Sequence, residues 1–182
     1  SLNNVNAGAF TGLPNLQNLR LRNNSITILN PGTFNALPQL QTVNLELNQI
    51  TQLQTGIFTN LPNLFELYLQ NNRLTQLVSA SFSPSNSVRV LRFDNNQITI
   101  IQRNFFNGFP NLELVRATGN GCINQEPTVG PNFLTYFEVC FQNYDASVGV
   151  TTEPPPPVET PAPPPVETPA PPPVETPAPP PG

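Results

Sequence analysis

Few side chains in this sequence could carry out acid–base or covalent chemistry. The chain has no histidine and no lysine, which removes the usual general base, the Schiff-base amine and the commonest metal ligand. The carboxylates Glu46 and Asp94 remain as a candidate catalytic pair. Two strands apart in a parallel sheet, they would be separated by about 10 Å, just beyond the roughly 6.5 to 9.5 Å of inverting glycosidases. We expect them instead to be solvated partners of neighbouring arginines, so the sequence predicts a non-enzymatic protein without a cofactor or a metal site.

The charged residues are distributed unevenly along the chain. Seven arginines are balanced by seven acidic residues up to Asp145, so this body is neutral. The net charge of −4 lies on four later residues, Glu153, Glu159, Glu167 and Glu175. A neutral body lacks the basic surface that nucleic acids require. Only 10% of the residues are charged and 25 are asparagine, so the surface has little self-repulsion and tolerates close association between copies.

The elements that must position these side chains come from a repeat of 24 residues. The stretches LQNLRLRNNSI, LQTVNLELNQI, LFELYLQNNRL, VRVLRFDNNQI and LELVRATGNGC align residue for residue. An asparagine recurs at this spacing, at Asn24, Asn48, Asn72, Asn96 and Asn120. A phenylalanine also recurs at this spacing, at Phe10, Phe34, Phe58, Phe82 and Phe106. Five matches in register predict a solenoid of stacked repeats.

The pattern also predicts what each position does. Alternation in LxL buries Leu19 and Leu21 on a short strand and exposes the arginines beside them, so stacked repeats form a parallel sheet with an exposed concave face. Each recurring asparagine follows a strand, where backbone groups lose their partners in the sheet. Its amide can donate to and accept from those groups, so we interpret the five asparagines as structural rather than ligand-binding. The phenylalanine column is expected to fill the convex side.

The LxxLxLxxNxI pattern with a 24-residue period resembles the leucine-rich repeat family, in the class found in extracellular animal proteins. The resemblance implies an α/β-type solenoid, a horseshoe whose short parallel strands line the concave side. We divide the chain into leucine-rich repeats at 1–121, a C-terminal cap at 122–146 and a proline-rich tail at 147–182. Ser1 falls just after the position of a recurring asparagine, so the first repeat is expected to be truncated and to lack its strand half.

The segment after the last repeat holds both cysteines. Cys122 and Cys140 flank an aromatic run, which is similar to the C-terminal cap of extracellular leucine-rich repeat proteins. That cap commonly has four cysteines, and the two-cysteine form more closely resembles small secreted insect proteins of the family, some of which act in innate immunity. The resemblance implies a disulfide between the two cysteines, worth about 3 kcal/mol in the chain-entropy model. The alternative is two free, buried thiols.

The exposed residues of the concave face favour a role in recognition. The central column of the predicted sheet presents Arg20, Asn44, Tyr68, Arg92 and Arg116. Tyrosine and arginine are enriched at protein interfaces, so the predicted ligand contacts are Arg20, Tyr68, Arg92 and Arg116. The competing interpretation is a solvated face whose charges satisfy one another, for example with Arg92 against the ring of Tyr68.

Two kinds of modification signal favour secretion. Asn23-Asn24-Ser25 is an N-glycosylation sequon whose acceptor, Asn23, would lie at the edge of the concave face. The tail repeats PPPVETPA, a composition that predicts a polyproline II rod. Its candidate O-glycosylation sites are threonines followed by proline, at Thr160, Thr168 and Thr176. The alternative for the tail is an unmodified, flexible spacer.

Together these features predict a secreted, extracellular module for recognition, adhesion or innate immunity, carried on a glycosylated stalk. Its ligand would be a protein or a glycan, and the neutral body argues against nucleic acid. No run of about 18 apolar residues occurs, so no membrane span is predicted. The alternative is a structural subunit of an extracellular filament or matrix, in which copies of the chain stack through their solenoids and pack their glycosylated rods together.

Overall fold

The computed structural model describes residues 1–82, 87–123 and 125–149. The predicted polyproline II rod therefore lies outside the described residues, together with Thr160, Thr168 and Thr176. Within the described ranges, no helix is long and apolar enough to cross a bilayer.

Five three-residue strands form one parallel sheet along the solenoid. In spatial order they are β2 (Asn18–Arg20), β4 (Thr42–Asn44), β5 (Glu66–Tyr68), β7 (Val90–Arg92) and β9 (Leu114–Arg116). Two-residue strands pair separately, β1 (Asn4–Val5) with β3 (Ile28–Leu29) and β6 (Gln76–Leu77) with β8 (Ile100–Ile101). Short 3₁₀ helices cover Ser79–Ser81, Phe105–Gly108 and Phe133–Phe137, and the helix α1 covers Glu138–Ser147. The predicted solenoid with a short parallel sheet is confirmed.

Each strand of the sheet pairs with the equivalent strand of the next repeat, so equivalent residues lie side by side. Arg20 pairs with Asn44, which pairs with Tyr68 on the next strand. The same register continues from Tyr68 to Arg92 and on to Arg116. The middle residue of every strand is buried, while the residues on either side face outward. Equivalent side chains of successive repeats therefore stand next to one another in columns.

The recurring asparagines connect neighbouring repeats. Asn72 is typical: its Oδ1 accepts from the N–H of Ile50 (3.0 Å), and its Nδ2 donates to the carbonyls of Leu45 and Leu69 (3.0 Å each). The same bonds recur for the buried Asn48 and Asn96 and for the half-buried Asn120. At the first position, the Oδ1 of Asn24 accepts from the N–H of Leu2 (2.8 Å). We call this series the asparagine ladder.

A second column, which the sequence analysis did not identify, has left-handed backbone conformation. It contains Asn23 (φ 59°), Leu47 (φ 56°), Asn71 (φ 57°), Asn95 (φ 54°) and Gly119 (φ 74°). Asparagine and glycine adopt this region at low cost, whereas other residues rarely do. Glycine fits best at the last position, because a Cβ there would lie 2.3 Å from Oδ1 and 3.2 Å from the backbone N and Cα of Asn95. Leu47 is the exception, and its side chain is 40% exposed.

Phenylalanine rings stack along the convex side. Ring centroids are 5.5 Å apart between Phe34 and Phe58 and 5.2 Å apart between Phe58 and Phe82. Beyond Phe82 the stack changes direction, because its next ring contacts are edge-on with Phe105 and Phe109. The expected fifth member, Phe106, packs instead on Phe133 and Phe137 of the cap. The last repeat thus uses adjacent phenylalanines for two purposes, one ring for the stack and one for the cap.

The cap closes the C-terminal end of the solenoid. Cys122 and Cys140 form a disulfide, with their Cα atoms 5.2 Å apart, as the family resemblance implied. Nδ2 of Asn143 on α1 donates to the carbonyl of Thr99 (2.7 Å). Nη2 of Arg103, in the last repeat, lies 2.6 Å from Oδ2 of Asp145, a residue that is only 5% exposed. The disulfide closes a loop within the cap, and the polar and aromatic contacts fix the cap on the repeats.

Candidate functional site

The outward-facing residues of the five-stranded sheet form the candidate site, which we call the concave face. Its central column contains the four predicted ligand contacts, Arg20, Tyr68, Arg92 and Arg116. The last three occupy consecutive strands, while Asn44 separates Arg20 from Tyr68. The structure therefore brings the four residues into one row. Their surroundings differ along that row.

Arg92 is bound by a residue of its own repeat, Asp94, two positions after it. Its Nε and Nη2 donate to the two carboxylate oxygens of Asp94, each over 3.1 Å. This bidentate bond raises the pKa of Arg92 above its ordinary value. The expected packing of Arg92 against Tyr68 is not seen, since the cation–π contacts among the described residues are Arg89 over Phe65 and Arg103 over Phe141. Arg92 is therefore fixed within the protein.

Arg116 is engaged by the cap. Its Nη1 donates to Oε1 of Glu126 over 2.8 Å. Glu126 belongs to the loop between Cys122 and the cap helix, so a non-repeating segment reaches back to the last strand of the concave face. The position of an irregular loop does not follow from a repeat, so this contact could not be predicted from the sequence.

Arg20 has no such partner. In the described part of the chain, five of the seven arginines form ion pairs with carboxylates, and the two that do not are Arg20 and Arg73. Arg73 follows Asn72 of the asparagine ladder and lies outside the central column. Arg20 is thus the arginine of the central column that is exposed and without a counterion in the described residues.

A groove of about 400 Å³ lies around Arg20. Its lining residues come from the first three strands and the turn after β2, and they are Asn18, Arg20, Arg22, Thr42, Asn44, Glu66 and Tyr68. The hydroxyl of Thr42 donates to Oε2 of Glu66 (3.1 Å). Burial, and secondarily the carboxylate of Glu66, raises the pKa of the Tyr68 phenol above 10.0, so its hydroxyl stays protonated at neutral pH. The groove combines an unpaired cation, a protonated phenol and one carboxylate.

One buried polar atom on this face is unsatisfied. Gln70 follows Tyr68 by two residues and is 3% exposed, and its Oε1 has no hydrogen-bond partner within the described residues. Leaving a buried acceptor without a donor costs about 1 to 3 kcal/mol. The polar groups of the concave face therefore do not all satisfy one another, in contrast to the competing interpretation.

The candidate catalytic carboxylates act as counterions. Glu46 lies 3.3 Å from Nε of Arg22, and Asp94 binds Arg92. Across residues 1–82, 87–123 and 125–149, no group of three or more histidine, cysteine, aspartate or glutamate side chains is placed to hold a metal ion. The carboxylates therefore have a structural use, in agreement with our expectation of arginine partners.

The sequon lies beside the groove. Asn23 is exposed, its backbone N–H donates to the carbonyl of Glu46 (3.0 Å), and its side chain makes no hydrogen bond to the described residues. It directly follows Arg22, which lines the groove. Glycosylation of Asn23 remains a prediction, and the predicted sites at Thr160, Thr168 and Thr176 lie beyond the described residues.

Comparison with known families identifies the repeat. A family model described as leucine rich repeat matches residues 1–50, 38–98 and 66–121, which together span about two thirds of the chain. The chain belongs to the leucine-rich repeat family. No curated protein gives a match to the sequence. The ladder and columns described above are therefore those of a leucine-rich repeat solenoid.

Solved leucine-rich repeat structures agree with this assignment. The chain is similar to the protein in the crystal structure of the TLR13–ssRNA13 complex, with 31% identity and a TM-score of 0.54 over 57% of this chain. It is also similar to the leucine-rich repeat domain of APL1B, with 27% identity and a TM-score of 0.61 over 65% of this chain. It covers 14% and 35% of those two chains, respectively, so it corresponds to a part of each.

Proposed function

We propose that the chain is a secreted, non-enzymatic recognition module that binds a protein through its concave face, with Arg20 and Tyr68 in the N-terminal half as the main contacts. The distribution of ion pairs on that face carries the proposal. Asp94 and Glu126 engage Arg92 and Arg116, whereas Arg20 stands exposed and unpaired at the groove that also contains Tyr68. Arginine and tyrosine are the residue types that most often dominate the energy of protein interfaces.

Membership of the leucine-rich repeat family supports binding rather than catalysis. Solenoids of stacked repeats typically use their extended concave surface to bind proteins. The two carboxylates that could have acted as a catalytic pair, Glu46 and Asp94, are instead paired with arginines. Each of the four original candidates keeps a place in the proposal, with Arg20 and Tyr68 as direct contacts and Arg92 and Arg116 as engaged neighbours.

A protein ligand is favoured over a nucleic acid by charge. The TLR13 structure is a complex with ssRNA13, but the charge of this chain does not favour RNA. Its seven arginines are balanced by seven acidic residues up to Asp145, and five of those arginines already have carboxylate partners in the described residues. A surface of this kind releases few counterions from a phosphate backbone.

Secretion is supported by the cysteines and the sequon. The Cys122–Cys140 disulfide is typical of oxidising compartments, in which such bonds persist. We propose that Asn23 carries an N-linked glycan and that Thr160, Thr168 and Thr176 carry O-linked sugars on a stalk. A glycan on Asn23, next to Arg22, would restrict which ligands can enter the groove.

A differential capture experiment tests the proposal. The full chain, produced through a eukaryotic secretory pathway, is immobilised and exposed to extracellular fluid of the source organism, and captured proteins are quantified by mass spectrometry. The same is done with the double variant Arg20→Gln/Tyr68→Ala and with Arg73→Gln, which removes the other unpaired arginine. We expect at least one protein that Arg73→Gln captures in the same amount as the wild type and that the double variant captures in an amount about tenfold lower. Equal capture by all three proteins would contradict the assigned site.

A second candidate function is a structural subunit of an extracellular filament or matrix. The observation that favours it is the neutral, asparagine-rich body, which has little charge repulsion between copies. Size-exclusion chromatography with light scattering on the glycosylated full chain separates the two candidates. A monomer at all accessible concentrations would rule out assembly, and a polymer would rule out a solitary receptor.

A further inference from the structure

The chemistry of the concave face changes along the solenoid. The first residue of each strand in the five-stranded sheet is outward-facing, and these residues are Asn18, Thr42, Glu66, Val90 and Leu114. The first three are polar and line the groove around Arg20. The last two are apolar: Val90 is half-buried, and Leu114 is 38% exposed. This column is therefore polar at the end near Arg20 and apolar at the other end, where it lies beside the paired Arg92 and Arg116.

The apolar end continues past the strands. Phe65, the residue before β5, is 42% exposed, and the guanidinium of Arg89 lies 5.2 Å from its ring centroid. Arg89 in turn is paired with Glu113 over 2.9 Å, so its charge is already compensated. Leu114 follows Glu113 directly. This end thus offers apolar surface from Phe65, Val90 and Leu114 without a free charge.

The distance between Arg20 and the apolar residues determines how far apart the two contacting side chains of a ligand segment must be. Arg20 lies on the first strand of the sheet, Val90 on the fourth and Leu114 on the fifth. Adjacent strands are about 4.8 Å apart, and Arg20 is offset by two residues along the strand direction from Val90 and Leu114, so the separation is about 16 to 20 Å. An extended segment rises about 3.3 Å per residue, and its side chains face the same way at even separations. Two side chains of such a segment would span the distance when they are about four or six residues apart.

Glu66 determines which end receives a negative charge. It lies on the third strand, on the side of the groove nearest Val90, and it accepts a hydrogen bond from Thr42. A carboxylate on the ligand would be repelled near Glu66 and attracted by the unpaired Arg20. The acidic group is therefore directed to the first strand, and the uncharged end of the ligand to the fourth and fifth.

We propose that the concave face recognises an extended protein segment by two features, an acidic side chain on Arg20 and an apolar side chain on Val90 and Leu114, four or six residues apart. The inference rests on the proposed function, which it deepens by naming the chemistry of the partner. Tyr68 lies between the two contacts and lines the groove that receives the acid. The acid gives specificity and faster association, and the apolar contact excludes water from the far end.

Selection from an unbiased peptide library tests this proposal without a known ligand. Linear peptides of about twelve residues are displayed on phage and selected on the immobilised full chain, because peptides of this length hold little helix alone. The same selection is made on Arg20→Gln and Leu114→Asp. The matched controls are Arg73→Gln, an unpaired arginine elsewhere, and Leu134→Asp, a similarly exposed leucine (46%) in the cap. Circular dichroism and an intact disulfide establish that each variant is folded.

We expect the wild type and both controls to enrich peptides with aspartate or glutamate four or six residues from a large apolar residue. Arg20→Gln should reduce the acidic preference about tenfold, and Leu114→Asp should remove the apolar preference while the acidic one remains. Enriched peptides without an acidic residue, or an acidic preference that persists in Arg20→Gln, would overturn the inference while leaving recognition by the module intact. Failure to enrich any peptide on the wild type, combined with no differential protein capture, would count against the proposed function itself.

Discussion

Oε1 of Glu126, in the cap, accepts a hydrogen bond of 2.8 Å from Nη1 of Arg116, on the last strand of the concave face. The pair joins the irregular end of the chain to the regular binding surface. It also neutralises the arginine that stands farthest along the sheet from Arg20. The cap therefore both closes the core and reduces the positive charge of the concave face.

Replacing Glu126 by glutamine should release Arg116 at little cost in stability. Both side chains are partly exposed, at 49% for Arg116 and 31% for Glu126, and such pairs contribute less than about 1 kcal/mol. We expect a nearly unchanged unfolding midpoint in urea and stronger binding of acidic peptides at low salt, because a second unpaired arginine joins the concave face. A loss of several kcal/mol on this substitution would show instead that the pair fixes the cap.

The pKa of the Tyr68 phenol should be raised in the folded protein, because the side chain is partly buried. Because burial and Glu66 raise its folded-state pKa above 10.0, the phenol in the folded protein stays neutral at a pH where the unfolded chain has begun to ionise. This contribution to stability is complete below pH 10.0 and is lost as the pH rises through the folded-state pKa. The measurement is ultraviolet absorbance of tyrosinate in a background carrying Tyr136→Phe and Tyr144→Phe. Glu66→Gln should move the titration only partway back, since burial is the largest single cause and remains. An unshifted curve for the Glu66 protein would contradict the assignment.

Asn72→Ala should be strongly destabilising. It removes the acceptor of the Ile50 N–H and the donor to the carbonyls of Leu45 and Leu69, all of them buried. We expect a loss of about 3 kcal/mol in the free energy of unfolding, measured by urea denaturation. The matched control is Asn24→Ala at the first position of the ladder, where the main bond is exposed to solvent and the loss should be under about 1 kcal/mol. Equal losses at both positions would mean that burial of the ladder does not matter.

Leu47→Asn should stabilise the protein. Leu47 has a left-handed φ of 56° and is 40% exposed, so leucine gains little from burial there and strains the backbone. Relief of this strain is worth about 1 kcal/mol. The reverse change in the next repeat, Asn71→Leu, should destabilise by a similar amount, and urea denaturation of the two variants gives the comparison. If Leu47→Asn instead lowers stability, the leucine makes a contact that its exposure does not suggest.

The repeat period explains why so much of the fold could be predicted from the sequence. Once 24 residues separate equivalent positions, the register of Arg20, Asn44 and Tyr68 on adjacent strands follows, and so does the place of each asparagine after its strand. The left-handed column was also within reach, because Asn23, Asn71, Asn95 and Gly119 recur at the same spacing and share one backbone preference.

The parts that could not be predicted depend on contacts outside the repeat. Asp94 could have paired with either neighbouring arginine, and the choice of Arg92 rests on side-chain geometry that a pattern does not contain. Glu126 reaches Arg116 only because the cap folds back, and the cap has no period. Phe106 turned toward the cap for the same reason, leaving Phe105 and Phe109 to continue the ring stack.

The asparagine ladder also determines how a solenoid of this kind can grow. Asn72 bonds to Ile50, which is 22 residues earlier, and to Leu45, which is 27 residues earlier. Duplicating or deleting a block of 24 residues shifts every such donor and acceptor together and preserves all the bonds. An insertion of one or two residues between Leu69 and Asn72 would separate the amide from its own strand and leave it facing the wrong backbone groups. The length of the array is therefore expected to change over evolutionary time in whole repeats, and small insertions should be tolerated only on the convex turns between one rung and the next strand.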